Sequence, residues 1–242
     1  MAEDEIRKHT KAAFKVLKNP EANWKHKLKE VLIEVLIIVF AVSISIWFHN
    51  WSDKVQEHHE EKEFLTGFKK DLYSDIADIK SSDDFYKGAL MGWEYFAKVG
   101  AGDTLSKDSL VKYDNIFLST TILEVRLSRY EGLKSSGKLG IIQNKDLLNN
   151  IIELNETVLT RIQLLNNSYS SFIDKMSTFI QQNAQFDKHA NITNAQNLLR
   201  NNQMRFSLAI CQSNLFQNII PAHDDGIKKC KEIIREIDKE LK

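Results

Sequence analysis

Residues 31–48 read VLIEVLIIVFAVSISIWF, an apolar run of eighteen with a single charge, Glu34. In a helix rising about 1.5 Å per residue the run covers roughly 27 Å, close to the hydrocarbon thickness of a bilayer. Trp24 lies ahead of it, and Trp47 and Trp51 stand at its far end. An indole has an apolar body and a polar N–H, so it is most at ease at the lipid–water boundary. The three tryptophans are therefore expected as membrane-interface anchors. Residues 30–51 are expected as a transmembrane helix, with the lipid bilayer as its first partner.

The flanks orient the span. Residues 1–29 carry Arg7, Lys8, Lys11, Lys15, Lys18, Lys25, Lys27 and Lys29 against Glu3, Asp4, Glu5 and Glu21, a net charge of +4. The whole chain holds 33 basic and 33 acidic side chains, so everything beyond residue 29 sums to −4. Asp53, Glu57, Glu60, Glu61 and Glu63 come directly after the span. The positive-inside rule places 1–29 in the cytoplasm as a basic tail. Within it, 3–18 is moderately amphipathic and either lies on the anionic inner leaflet or stays solvated. A cleaved signal peptide is disfavoured, because His49, Asn50 and Trp51 make a poor small-residue cleavage site. The zero overall charge offers no basic field to nucleic acid.

One face of the span differs from the rest. At about 100° per residue, Glu34, Ala41, Ser45 and Ser52 fall on one line, with Glu30, Lys27 and Ile38 near it. Ala41 and Ser45 form a small-xxx-small pair, which lets two backbones approach closely in lipid. A carboxyl at membrane depth costs a few kcal/mol, so it normally faces protein or water. Glu34 then reaches back to the cytoplasmic headgroups, faces a helix of another chain, or handles a proton or ion. Glu30, Glu34, Ala41 and Ser45 are the candidate transmembrane interface. Its other side would be a second copy, in a homo-oligomer, or another membrane-protein subunit.

Two blocks of residues carry a resemblance. Ile33, Glu34 and Val35, then Ala41, Ser45, Asn50 and Trp51, lead into Glu61, Lys62, Glu63, Phe64 and Leu65 and on to Lys69, Lys70, Asp71 and Leu72. Tyr130 to Leu139 (YEGLKSSGKL), with Ile141, Ile142, Leu147 and Leu148, form the second block. Together they resemble an uncharacterised family of bacterial single-pass membrane proteins. The resemblance implies an inner (cytoplasmic) membrane protein with a periplasmic domain, and it implies no activity. It also makes the Asn-x-Ser/Thr matches at Asn50, Asn155, Asn166 and Asn191 chance, because these are acceptors only in a eukaryotic secretory setting.

Nine glycines and two prolines are few for an all-β chain, whose turns need φ > 0 residues. Helices are expected throughout. Val55, Leu65, Phe68, Leu72, Ile76 and Ile79 recur at mostly three- and four-residue steps, so the span should continue into a helical stalk over 52–80. Part of that stripe could also be coiled-coil contact between copies. Ser81, Ser82, Asp83 and Asp84 read as a break with N-cap candidates. A second helix then runs to a stop at Gly100–Gly102. Short helices are expected over 108–119 and 121–134, with a turn around Gly137 and Gly140. Residues 146–182 hold the strongest periodic signal, and 183–202 read as a polar loop with a helical turn. A terminal hairpin over 204–218 and 226–241 is expected to turn near Pro221. The fold class is all-α: a transmembrane helix, a stalk, and a helical-bundle extracytoplasmic domain over 81–242.

Cys211 and Cys230 would sit about equally far from the turn of that hairpin. They are therefore either a possible disulfide in an oxidising compartment or two ordinary half-buried thiols. His58 and His59 point about 100° apart on a helix and cannot easily share an ion, and His223, Asp224 and Asp225 read as a loop and cap. No metal site, cofactor site or catalytic constellation is expected; a Gly-x-Ser-x-Gly elbow and a phosphate-binding glycine loop are both missing. The expected function is non-enzymatic: membrane-anchored assembly, by oligomerisation or by joining a larger complex. The alternative is a single-span subunit of an ion-driven complex, with Glu34 as its protonatable group.

Overall fold

The computed structural model describes Arg7, Lys11 and residues 24–242 apart from Ile122 and Ala190. The amphipathic stretch 3–18, Arg7 and Lys11 aside, lies outside the described residues. Every regular element among the described residues is helical; the only strand-like pairing there is an isolated bridge between Phe186 and Ile192. The chain divides into two compact units, residues 1–60 and 61–242.

Helix α1 covers Trp24–Ala101, 78 residues without interruption. No break occurs at Ser81–Asp84, contrary to the capping pattern. Short polar side chains end a helix when nearby backbone groups are their best partners. Here they have others: the Ser82 and Thr121 hydroxyls lie 3.0 Å apart, and Asp83 pairs with Lys87 one turn on. The helix stops where expected, with Gly102 at φ 140°. The segment 61–80 is not a free-standing stalk either. Phe64, Leu65, Phe68, Leu72 and Ile79 are at most 7% exposed, because they form the core of the second unit. From Phe64 onward the apolar stripe is covered from within the chain, whereas Val55 is 53% exposed.

Two further long runs complete the core of that unit. The first is α4 (Lys145–Glu153), a π-helical step at Leu154–Leu159, and α5 (Thr160–Asn183). This is the periodic segment 146–182, opened by Asn144, whose side chain accepts from the amides of Asp146 and Leu147 at 3.1 Å. The π step breaks the regular ladder. Asn155 donates its side-chain amide to the Ile151 carbonyl at 2.7 Å, and the Thr160 hydroxyl donates to the Asn155 carbonyl at 3.0 Å. The second run is α7 (Asn202–Asn214), a π step at Leu215–Ile219, and α8 (Ile220–Glu240). There is no hairpin at Pro221. The ring falls in the first turn of α8, and the wider π turn before it absorbs the missing N–H and the ring's clash with the preceding turn.

The three long stretches lie side by side. Asn150 donates to Glu236 at 2.9 Å, and Lys229 pairs with Glu153. Cys211 lies beside Met176, so the third run is antiparallel to the second. Gly226 allows their close approach, since a Cβ there would stand 2.6 Å from Ile162 Cδ1.

The connection 102–144 descends antiparallel along α1. It contains α2 (Lys107–Tyr113), a 3-10 turn (Asp114–Phe117), α3 (Ser128–Ser135) and a 3-10 turn (Lys138–Ile141). Of the stretch expected as a helix over 121–134, only Ser128 onward is helical. Acids on α1 hold the connection down. Arg126 reaches Asp78 at 2.8 Å and Asp75 at 3.2 Å, Arg129 reaches Asp71 at 2.7 Å, and the amide of Gln143 donates to Glu61 at 2.7 Å. Burial pushes the Asp75 carboxyl above its ordinary range, and the Arg126 amide and guanidinium oppose that rise. The loop after α5 holds α6 (Ala195–Arg200), the helical turn expected within 183–202.

Two glycines of α1 should respond oppositely to alanine. A Cβ at Gly88 meets nothing within 4 Å, whereas one at Gly100 would lie 2.8 Å from the Leu199 carbonyl oxygen. Gly88→Ala should stabilise by about 0.5–1 kcal/mol through backbone entropy and helix propensity. Gly100→Ala should destabilise by about 1–3 kcal/mol through overpacking against backbone. Thermal unfolding of the full chain in detergent, followed by circular dichroism, checks both signs.

Candidate functional site

Two regions have features that packing alone does not account for. The first is the apolar segment of α1. It holds a window of mean hydropathy 2.7, none of it buried within the chain. Leu36 (63% exposed), Ile37 (43%), Val39 (55%) and Phe40 (68%) are all exposed, while Val31, Glu34 and Ile38, which share the opposite side of the helix, are half-buried among the described residues. Trp24, Trp47 and Trp51 are exposed at its flanks, and Phe48 packs on Trp51 with ring centroids 5.7 Å apart. On the small-residue stripe the Ser45 hydroxyl donates to the Ala41 carbonyl at 2.9 Å. Its donor is therefore satisfied inside its own helix. Glu34 is half-buried and Glu30 is exposed on the same helix.

The second region lies within residues 61–242, where two apolar clusters meet. One is mainly aliphatic, with Leu72, Ile79, Ile142, Leu147, Ile151 and Ile162 among its members. The other is rich in aromatic rings. Trp93 packs edge-on to Phe117 at 5.0 Å, Tyr86 edge-on to Tyr169 at 5.0 Å, and the Trp93 indole donates to the Tyr169 hydroxyl at 3.0 Å.

Between the clusters lies a buried polar layer. Ser82, Asp83 and Tyr86 come from α1, Asn166 from α5 and His223 from α8, each at most 4% exposed. His223 packs its ring on Tyr86 with centroids 5.5 Å apart. Among the described residues, both His223 ring nitrogens, the Tyr86 hydroxyl, Asp83 Oδ1 and both amide atoms of Asn166 find no hydrogen-bond partner. Unpaired buried polar atoms are uncommon and costly, about 1–3 kcal/mol each. Burial lowers the His223 pKa, with Asp83 and Asp224 pulling it up and Lys87 pushing it down. The layer can therefore hold a neutral imidazole, and it resists a charged one.

His223 does not lie in a loop. It sits inside α8, because the chain does not turn at Pro221. Asn155 and Asn166, two of the four Asn-x-Ser/Thr matches, are buried. Phe64 and Leu65 of α1 share a cluster with Ile141, Ile142 and Leu147, and next to them Glu61 accepts from the amide of Gln143. The possible Cys211–Cys230 disulfide is corrected. Both thiols are free, and they lie on one unbroken helical run about 28 Å apart along its axis, far beyond bonding reach. Among the described residues no three His, Cys, Asp or Glu side chains converge on a point that could hold a metal. No family model, curated protein or solved structure matches the chain.

The buried groups set two measurable responses. The unfolded His223 titrates near 6.5 and the folded one lower, so its contribution to stability is fully present above 6.5. That contribution is lost as pH falls from 6.5 through the folded pKa. Between about pH 7 and pH 5, wild type should lose more stability than His223→Leu, as read by urea unfolding at each pH. Burial also pushes the Cys211 and Cys230 thiols up to about 12. Both should resist a maleimide in the folded protein and react on unfolding, with two adducts counted by mass spectrometry.

Proposed function

We propose that this chain is a single-pass protein of a bacterial inner membrane, with its N-terminus cytoplasmic and residues 61–242 a periplasmic helical module. Its role is non-enzymatic: it joins a membrane assembly through its span, either with further copies or with other subunits. The apolar segment 31–48, with none of its residues buried among the described residues, carries this proposal. Thirteen Leu, Ile, Val and Phe side chains lie in that segment. At about 0.3–0.6 kcal/mol each they favour insertion by roughly 4–8 kcal/mol, against ~3 kcal/mol for one carboxyl at the centre. Insertion wins even with Glu34. Ala41 and Ser45 leave a shallow face beside Glu34, which supports a helix of another chain as the carboxyl's neighbour.

The stripe beyond the span gives no support, since Phe64 to Ile79 is used within the chain. The interface proposed here is therefore the span. Native mass spectrometry of gently solubilised membranes should give a particle heavier than one 28.0 kDa chain. Glu34→Gln and Ala41→Leu should reduce that mass. An unchanged particle in both variants would sink the interface.

A further inference from the structure

We infer that residues 110–118 and 195–204 form a binding site for an amphiphile with an apolar body and an amine head. A cavity of about 400 Å³ lies between the 3-10 turn Asp114–Phe117, the end of α5 and α6. Leu110, Phe117, Ile180, Ile192, Leu198 and Met204 supply apolar walls. This size and lining suit a small ligand whose orientation is set by a few polar groups. Leu118 lines the cavity while 70% exposed, so the apolar surface continues from the interior to solvent.

The walls are held before any ligand arrives. Phe117 is wedged between Trp93 and Phe96, with ring centroids 5.0 and 4.9 Å away. On the other side the Leu199 carbonyl rests against Gly100, and Arg200 donates to the carbonyls of Gly102 and Asp103 at 2.9 and 3.2 Å. A cavity braced on both sides does not need to be ordered on binding, which favours affinity. Asp114 and Asn115 are the polar lining residues. The Asp114 side chain makes no hydrogen bond or ion pair among the described residues. An acceptor-only carboxylate at the rim selects a donating or cationic head and repels an acidic one.

The test uses the full chain in lipid nanodiscs with a photoactivatable dodecylamine carrying a diazirine in its alkyl chain. Adducts are mapped by peptide mass spectrometry, so probe dissolved in lipid does not obscure the result. Labelling should concentrate in 110–118 and 195–204, exceed that of a carboxylate-headed analogue, and fall at least about tenfold in Ala195→Trp, which fills the cavity. Asp114→Asn should narrow the difference between the two heads. Excess unlabelled dodecylamine should displace the probe, a result that stands even if Ala195→Trp fails to fold. Labelling confined to 31–48, or not displaced, would overturn the site. Neither result depends on the assembly proposed for the span.

Discussion

The second unit depends on one demand: the apolar face of α1 between Phe64 and Val99 must be covered. Leu72, Ile79, Tyr86, Trp93, Phe96 and Val99 are all fully buried on that face. Each such side chain contributes about 1.5–3 kcal/mol when removed from water, an upper estimate given a compact unfolded state. The two π-stepped runs cover the face over most of its length, and the connection 102–144 closes it. The acids on the neighbouring face of α1 decide where that connection lies, through Arg126 and Arg129.

The polar layer works against that apolar drive. Asp83, Tyr86, Asn166 and His223 interrupt the core where aliphatic packing gives way to aromatic packing. Side chains of similar volume without polar atoms would cost less. Asn166 and His223 each come soon after a π step in their run, at Leu154–Leu159 and Leu215–Ile219. A regular helix would aim those two side chains elsewhere, since one added residue rotates the rest of the run by about 100°.

Helix periodicity made much of this fold readable. The steps of three and four over 146–182 pointed to one long run, and the glycines at 100 and 102 marked the end of α1. The apolar segment and its tryptophans could be read from composition, because eighteen consecutive residues with a single charge stand out without any tertiary information. The candidate sites were less legible. His223 stands beside a proline and two acids, which locally read as a loop. No local signal reports a buried layer, or a cavity whose lining is drawn from 110–118, 180 and 192–204.

Residue order is enough to establish that the chain is helical, where its apolar segment lies and which helix faces seek cover. Those properties depend on neighbours within one or two turns. Tertiary packing settled the rest: α1 runs through Ser81–Asp84, α7 runs on through the π step into α8 and past Pro221, and Cys211 and Cys230 stay apart. At both helix continuations a short polar or cyclic residue favours a break locally. Long-range burial, worth more than a cap or a lost hydrogen bond, keeps the helix going, and the unbroken run is what separates the two thiols.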